Sequence, residues 1–184
     1  MQQKKKEHVR SIALVQGGLN EHSATDILIE EAARMLSNRG AVCTAIDVRD
    51  SAIDFWDGRP FEKYSDRTKE LVQKMEEASG FVFCVPVYAA AISGAVKNII
   101  THSRRSVEKK TAAIMACSSS GVAPYPAVHE LIDLLLRGSH VATVQPVVYA
   151  SPEEFRNGKI FDEQITLLIE EMIDALLKRC SGRG

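Results

Sequence analysis

The chain has 184 residues, with 23 Lys and Arg against 24 Asp and Glu, a net charge of -1, and 45% apolar residues. That length suits one ordinary domain, the apolar share excludes a largely disordered chain, and the missing basic excess speaks against a phosphate-backbone binder of nucleic acid. The longest apolar runs, residues 81–87 and 89–92, fall far short of the ~20 residues that cross a bilayer. No membrane span is expected. Lys4, Lys5 and Lys6 precede only a short apolar strand with no small-residue cleavage site, so a signal peptide is not expected and the cytoplasm is the expected location. Residues 1–8 read as a tail and residues 9–180 as a single domain. Cys43, Cys84, Cys117 and Cys180 lie far apart with no C-x-x-C pair; free thiols, and no metal site, are expected.

Residues 10–16, R-S-I-A-L-V-Q, form a short apolar run closed by Gly17-Gly18, which reads as a buried strand and a turn. Ser23 with Asp26 three residues on is a capping-box-like start, Leu28, Ala32, Met35 and Leu36 keep helical spacing, and Gly40 stands where a C-cap glycine belongs. A helix follows the first strand. Val42, Thr44, Ile46 and Val48 alternate as a second strand, whereas residues 50–66 hold Asp57-Gly58 and Pro60 without periodicity and read as an irregular connection. A helix over 68–78 leads to F-V-F-C-V-P-V, residues 81–87. That run is continuous, the mark of a strand covered on both faces and so of a central strand in a parallel sheet. There follow a helix over 95–103 with Lys97 and Arg104 expected in solvent, a strand over 111–117, a helix over 126–137, a fifth strand over 141–149 and an amphipathic helix over 161–178.

Strands alternating with helices in this way give an α/β fold, a doubly wound three-layer sandwich whose five-stranded parallel sheet takes the order 2-1-3-4-5. Ligands bind such sheets outside the carboxyl ends of the strands, beside the switch point between strands 1 and 3. Three loops should meet there. The first, residues 17–25, puts two glycines, an amide, an imidazole and two hydroxyls at a helix N-terminus; it can cradle an anion, or Ser23 can simply cap its helix. It matches neither G-x-x-x-x-G-K-[ST] nor G-x-G-x-x-G, which disfavours an ATPase or an ordinary Rossmann dehydrogenase. The second, residues 86–94, is P-V-Y-A-A-A-I-S-G: a docking surface for a flat ring, with backbone N–H groups at Ala89 to Ala91 for ring heteroatoms, or a plain surface loop. The third, residues 118–121, is S-S-S-G, a source of hydroxyls and N–H groups or a simple turn. His22, His102, His129 and His140 show no functional spacing and read as surface or packing residues. No Ser-His, Cys-His or paired-carboxylate arrangement is visible, so no catalytic side chain is expected.

Val85 to Ile100, V-P-V-Y-A-A-A-I-S-G-A-V-K-N-I-I, closely resembles the P-x-Y-x-x-x-x-S/P-G-x-L-K-N signature of the flavodoxin-like NAD(P)H-dependent FMN reductase family. The resemblance extends over essentially the whole chain and is nearest to the sulfonate-utilisation FMN reductases and azobenzene-type reductases. It implies a flavodoxin-like domain using FMN and NAD(P)H, a small-molecule electron acceptor (free flavin, a quinone or an azo compound), and a homo-dimer or homo-tetramer. It places the FMN phosphate at Gly17, Gly18, Asn20, Ser23, Ala24 and Thr25, the ring against Pro86, Val87, Tyr88, Ala89, Ala90 and Ala91, and the pyrimidine side at Ser118, Ser119, Ser120 and Gly121. Two departures stand out: Gly18 and Asn20 replace the family's usual Ser and Arg, and Ala89-Ala90 replaces its Asn-Gly. Both remove side-chain contacts, and a loosely held flavin would follow. The competing readings are an electron carrier of flavodoxin type, which the near-neutral charge disfavours, and a non-catalytic binding module.

Overall fold

Runs of buried residues lie side by side as parallel strands. In the computed structural model, which describes residues 10–50, 52–119 and 121–181, β1 (Ser11–Gln16), β2 (Val42–Asp47), β3 (Gly80–Pro86) and β4 (Thr111–Cys117) pair in the order β2-β1-β3-β4. The fifth position, beside β4, is shared by β5 (Ala142–Thr143) and β6 (Val148–Ala150). The helices are α1 (Ala24–Asn38), α2 (Asp66–Glu77), α3 (Gly94–Ser103), α4 (Tyr125–Ser139) and α5 (Glu163–Ser181). This is the flavodoxin-like order expected from the sequence. Residues 1–8, read as a tail, lie outside the described residues.

Alternation within each strand divides the core into two layers. Ala13, Val15, Phe81, Phe83, Ile114 and Ala116 face one side, where α2, α3 and α4 supply Leu71, Met75, Ile99, Ile100 and Leu131. Ile12, Leu14, Val82, Cys84 and Met115 face the other, against Leu28, Met35 and Leu36 of α1 and Ile169, Met172 and Ile173 of α5. β3 and β4 are buried on both faces, which is why their sequences are continuous rather than alternating.

One expectation needs correction, and one element was not anticipated. The strand expected over 141–149 is broken in the middle, because Pro146 has no N–H to give to the ladder with β4, and pairing resumes only at Val148. The segment before the last helix also holds a small antiparallel hairpin of β7 (Phe155–Arg156) and β8 (Lys159–Ile160). Its corner, Asn157-Gly158, takes φ of 51° and 71°, the Asn-Gly turn whose twist matches a hairpin.

The connection at 50–66 is irregular, as read, but densely bonded. The Asp54 carboxylate accepts from Ser65 N–H at 2.7 Å and the Thr68 hydroxyl at 2.9 Å, while Asp57 pairs with Arg59 and accepts from the Tyr64 hydroxyl at 3.0 Å. Asn98 of α3 clamps the segment, accepting from Trp56 N–H at 2.9 Å and donating to Asp54 O at 2.9 Å. Phe55 and Trp56 are held in place yet 78% and 52% exposed. Hydrogen bonds from Ser65, then Thr68, and the nearby Arg59 charge bring the Asp54 carboxyl down to about 2. A depressed carboxyl stabilises the fold above its unfolded value of 3.8 and loses that contribution as pH falls through its folded value. The single tryptophan, Trp56, should therefore report loosening of this loop between about pH 4 and pH 2. A fluorescence titration that removes the transition in Asp54→Asn bears this out; an unchanged transition in that variant would count against it.

Candidate active site

The carboxyl ends of β1, β3 and β4 are neighbours in the sheet, so the loops that leave them, residues 17–25, 86–94 and 118–121, meet along one edge. The first loop must pass close to β3. Gly17 N–H donates to Cys84 O at 2.8 Å, and a Cβ on Gly17 would lie 2.9 Å from both that oxygen and Val96 Cγ2. Gly18 is needed for a different reason: its Cβ would fall 2.4 Å from Thr25 Oγ1 and 3.0 Å from Ser23 Oγ. The space that a serine would use in the family's pattern is thus taken by the Ser23–Thr25 hydroxyl pair, 2.6 Å apart. Ser23 is the N-cap of α1, and its own N–H donates to Asp26 at 2.9 Å, the return half of the expected capping box. Ala24 and Thr25 open the helix, where N–H groups have no intrahelical acceptor and the dipole is positive. Asn20, Glu21 and His22 are exposed, and His22 has φ 55°.

Beneath this loop lies a network that the sequence reading missed. Gln16, 5% exposed, accepts from Gly18 N–H at 2.8 Å and donates to Asp26 at 2.5 Å. Asp26 pairs with Arg49 at 3.0 Å, Arg49 pairs with Asp47 at 2.6 Å, and Arg49 Nη1 reaches Asn20 O at 3.4 Å. Burial pushes the Asp26 carboxyl up, but hydrogen bonds from Gln16 and Ser23 and the Arg49 charge outweigh it and leave it below the ordinary range. Arg49 is shared between two carboxylates, so the loop presents N–H dipoles and hydroxyls rather than surplus positive charge. A polar residue closing a buried strand was the one available signal for Gln16.

In the second loop Tyr88 and Ala91 exchange both backbone hydrogen bonds at 2.9 Å, with Ala89 and Ala90 between them at φ 48° and 61°. This is a two-residue turn of the primed kind, which favours Asn-Gly. Two alanines in the left-handed region cost about 1–2 kcal/mol each. Strain of this sort persists only where surrounding bonds over-determine it. Val87 N–H donates to Cys117 O at 2.9 Å, and the Tyr88 hydroxyl accepts from Leu19 N–H at 3.3 Å, tying the first two loops together. Ser93 caps α3 through Val96 N–H. The Ala91 N–H, expected to face a ligand, is spent on Tyr88 O; Ala89 and Ala90 are the exposed pair. Ala90→Gly should raise stability by roughly 1 kcal/mol, read as a higher urea midpoint at unchanged slope. A lower midpoint would mean that the turn is not strained at this position.

Ser118 is 7% exposed and gives its N–H to Ala150 O at 3.1 Å, while Ser119 O accepts from Val122 N–H and Gly121 has φ 78°. Ser120 lies outside the described residues. Pro86, Val87 and Tyr88 are half-buried. One correction concerns a residue flanking the edge: Lys97 is not simply solvated but pairs with Glu130 at 2.6 Å. His102, read as a surface or packing residue, donates to Asp54 O at 2.9 Å and packs edge-on against Tyr64. Two small cavities, of about 150 and 220 Å³, lie elsewhere, one lined by Asp47 and Arg67 and the other by Arg104 and His140.

A family model described as NADPH-dependent FMN reductase matches residues 10–156, a span holding all three loops. The chain belongs to that family. An 80-residue stretch is 28% identical to an NAD(P)H-dependent FAD/FMN reductase of Geobacillus thermodenitrificans, covering 41% of this chain and 42% of that protein, so the match spans less than half of that relative's length. Among solved structures, the flavoenzyme NAD(P)H:(acceptor) oxidoreductase FerB of Paracoccus denitrificans superposes with a TM-score of 0.80 at 18% identity, over 96% of this chain and 100% of that one. An NADH:FMN oxidoreductase in apo form gives 0.74 at 20% identity, over 91% and 88%. An azoreductase of Bacillus anthracis gives 0.64 at 12% identity, over 92% and 100%. At those identities the likeness is one of fold.

Proposed function

We propose that this family member is an NAD(P)H-dependent FMN reductase passing electrons from a reduced nicotinamide to FMN and on to a small acceptor such as free flavin, a quinone or an azo compound. The observation that carries this reading is the meeting of a glycine-lined helix N-terminus with the Tyr88–Ala91 turn on one edge of the sheet. In this reading the first-turn N–H groups and the Ser23 and Thr25 hydroxyls hold the phosphate. The ring lies against Pro86, Val87, Tyr88 and the alanine turn, and residues 118–121 border its pyrimidine side, where donors offset developing charge. The flavin supplies the hydride-accepting centre, and the chain binds, orients and shields it. Because Arg49 is shared between Asp26 and Asp47, the phosphate gains little net charge attraction, which favours a flavin that exchanges with solution.

Exposed Phe55 and Trp56, pinned to α3 through Asn98, support a homo-oligomer, to be read as a mass above about 20 kDa in light scattering. Residues 9–180 act as one flavin-binding domain, working in the cytoplasm. Anaerobic stopped-flow absorbance tests the reaction: NADH or NADPH should bleach FMN in the protein's presence, with His22, His129 or His140 each replaceable at less than about tenfold cost, under ~1.4 kcal/mol. If a chemical reductant bleaches bound FMN while both nicotinamides fail, the chain is a flavoprotein carrier and the reductase reading is lost.

A further inference from the structure

We propose that Glu130 of α4 is a positioning residue for the ring-facing turn, a carboxylate latch that holds the Ala89–Ala90 turn in its left-handed form; this rests on the flavin reading above. Glu130 Oε2 accepts from Ile92 N–H at 3.0 Å, the first amide after the turn closes, and Oε1 takes Lys97 Nζ at 2.6 Å. One carboxylate therefore joins three elements: the exit of the turn, the first helical turns of α3 and the middle of α4. The geometry gives it a task. Neither central residue of the turn is glycine, so the backbone itself does not favour the shape. The entrance is held by Val87 N–H on Cys117 O and by the Tyr88 hydroxyl on Leu19 N–H. The exit is held by Ile92 N–H on Glu130.

Lys97 plays the supporting part. Its hydrogen bond, with Ile92 N–H, outweighs burial and keeps the Glu130 carboxyl below the ordinary range, so the acceptor stays ionised, and hydrogen bonds to charged acceptors are the stronger kind. Lys97 belongs to the K-N pair of the signature, and its neighbour Asn98 clamps the 50–66 loop. The two residues thus fix the segments on either side of α3. Glu130 lies outside the signature, and only the packing of α4 against α3 brings it to the turn.

The test uses hydrogen exchange of the Ile92 amide in flavin-free protein, together with binding of FMN and of riboflavin. Glu130→Ala should speed Ile92 exchange about tenfold or more and weaken both ligands by the same factor, about five- to tenfold, because the ring and not the phosphate meets the turn. Glu130→Gln keeps an oxygen for Ile92 N–H and should recover most of the loss. Adding Ala89→Gly and Ala90→Gly together to Glu130→Ala should restore ring binding to within about twofold, since a turn with neither central residue strained needs no latch. A role confined to general stability would instead leave the two effects additive, and that result overturns the proposal. Unchanged Ile92 exchange in folded Glu130→Ala also overturns it, whatever the flavin does. Faster exchange in a protein that binds no flavin at all would remove the flavin reading while leaving the latch in place.

Discussion

Gly18→Ala should weaken FMN by roughly 5- to 150-fold, the equivalent of about 1–3 kcal/mol for forcing extra volume into a filled site. The added Cβ would sit 2.4 Å from Thr25 Oγ1. Thr25 is 1% exposed, its hydroxyl is bonded to Ser23 at 2.6 Å, and a β-branched side chain has little rotamer freedom in a helix. The loop must therefore move instead. Moving it breaks Gly18 N–H on Gln16 Oε1, and with that the support that Gln16 gives to Asp26 and Arg49. Riboflavin, which lacks the phosphate, should lose much less. Equal losses for the two ligands in a fluorescence titration would detach this loop from phosphate binding.

Phe83→Ala should remove about 3–5 kcal/mol of a total that for such domains is about 5–15 kcal/mol. The ring is fully buried in the layer shared with α2, α3 and α4, with the Phe81 ring 6.0 Å away. Both the lost burial and the cavity left behind count, since β3 is central and cannot collapse without disturbing β1 and β4. The variant should melt in urea at a much lower midpoint with an unchanged slope. Saturating FMN at about 100 times its Kd should return roughly 2.7 kcal/mol by mass action. A loss below about 1 kcal/mol would contradict the packing described for this layer.

Much of this architecture was legible in the chain. Continuous burial at 81–85 and 111–117 and helical spacing at Leu28, Ala32 and Met35 follow from side-chain periodicity alone, which is a local property. Those elements, taken in order, limit the topology to few choices, and the order places three loops at one edge. The Asn157-Gly158 hairpin was equally local, yet it stood in a stretch between the fifth strand and the last helix that was given no reading. The break at Pro146 was also visible in kind, since proline cannot donate to a ladder, although residues 141–149 were read as one strand.

Tertiary structure decided the rest, because it depends on which distant groups touch. Arg49 follows the second strand by two residues, and only the parallel pairing of β1 with β2 brings it to Asp26 and Asn20. The sequence could not say that Gly18 leaves room for the Ser23–Thr25 pair, or that Lys97 is bound to Glu130 from the next helix. Spacing identifies the faces of helices and strands, but the charge balance of a site is the sum over side chains that the fold alone brings within a few ångströms.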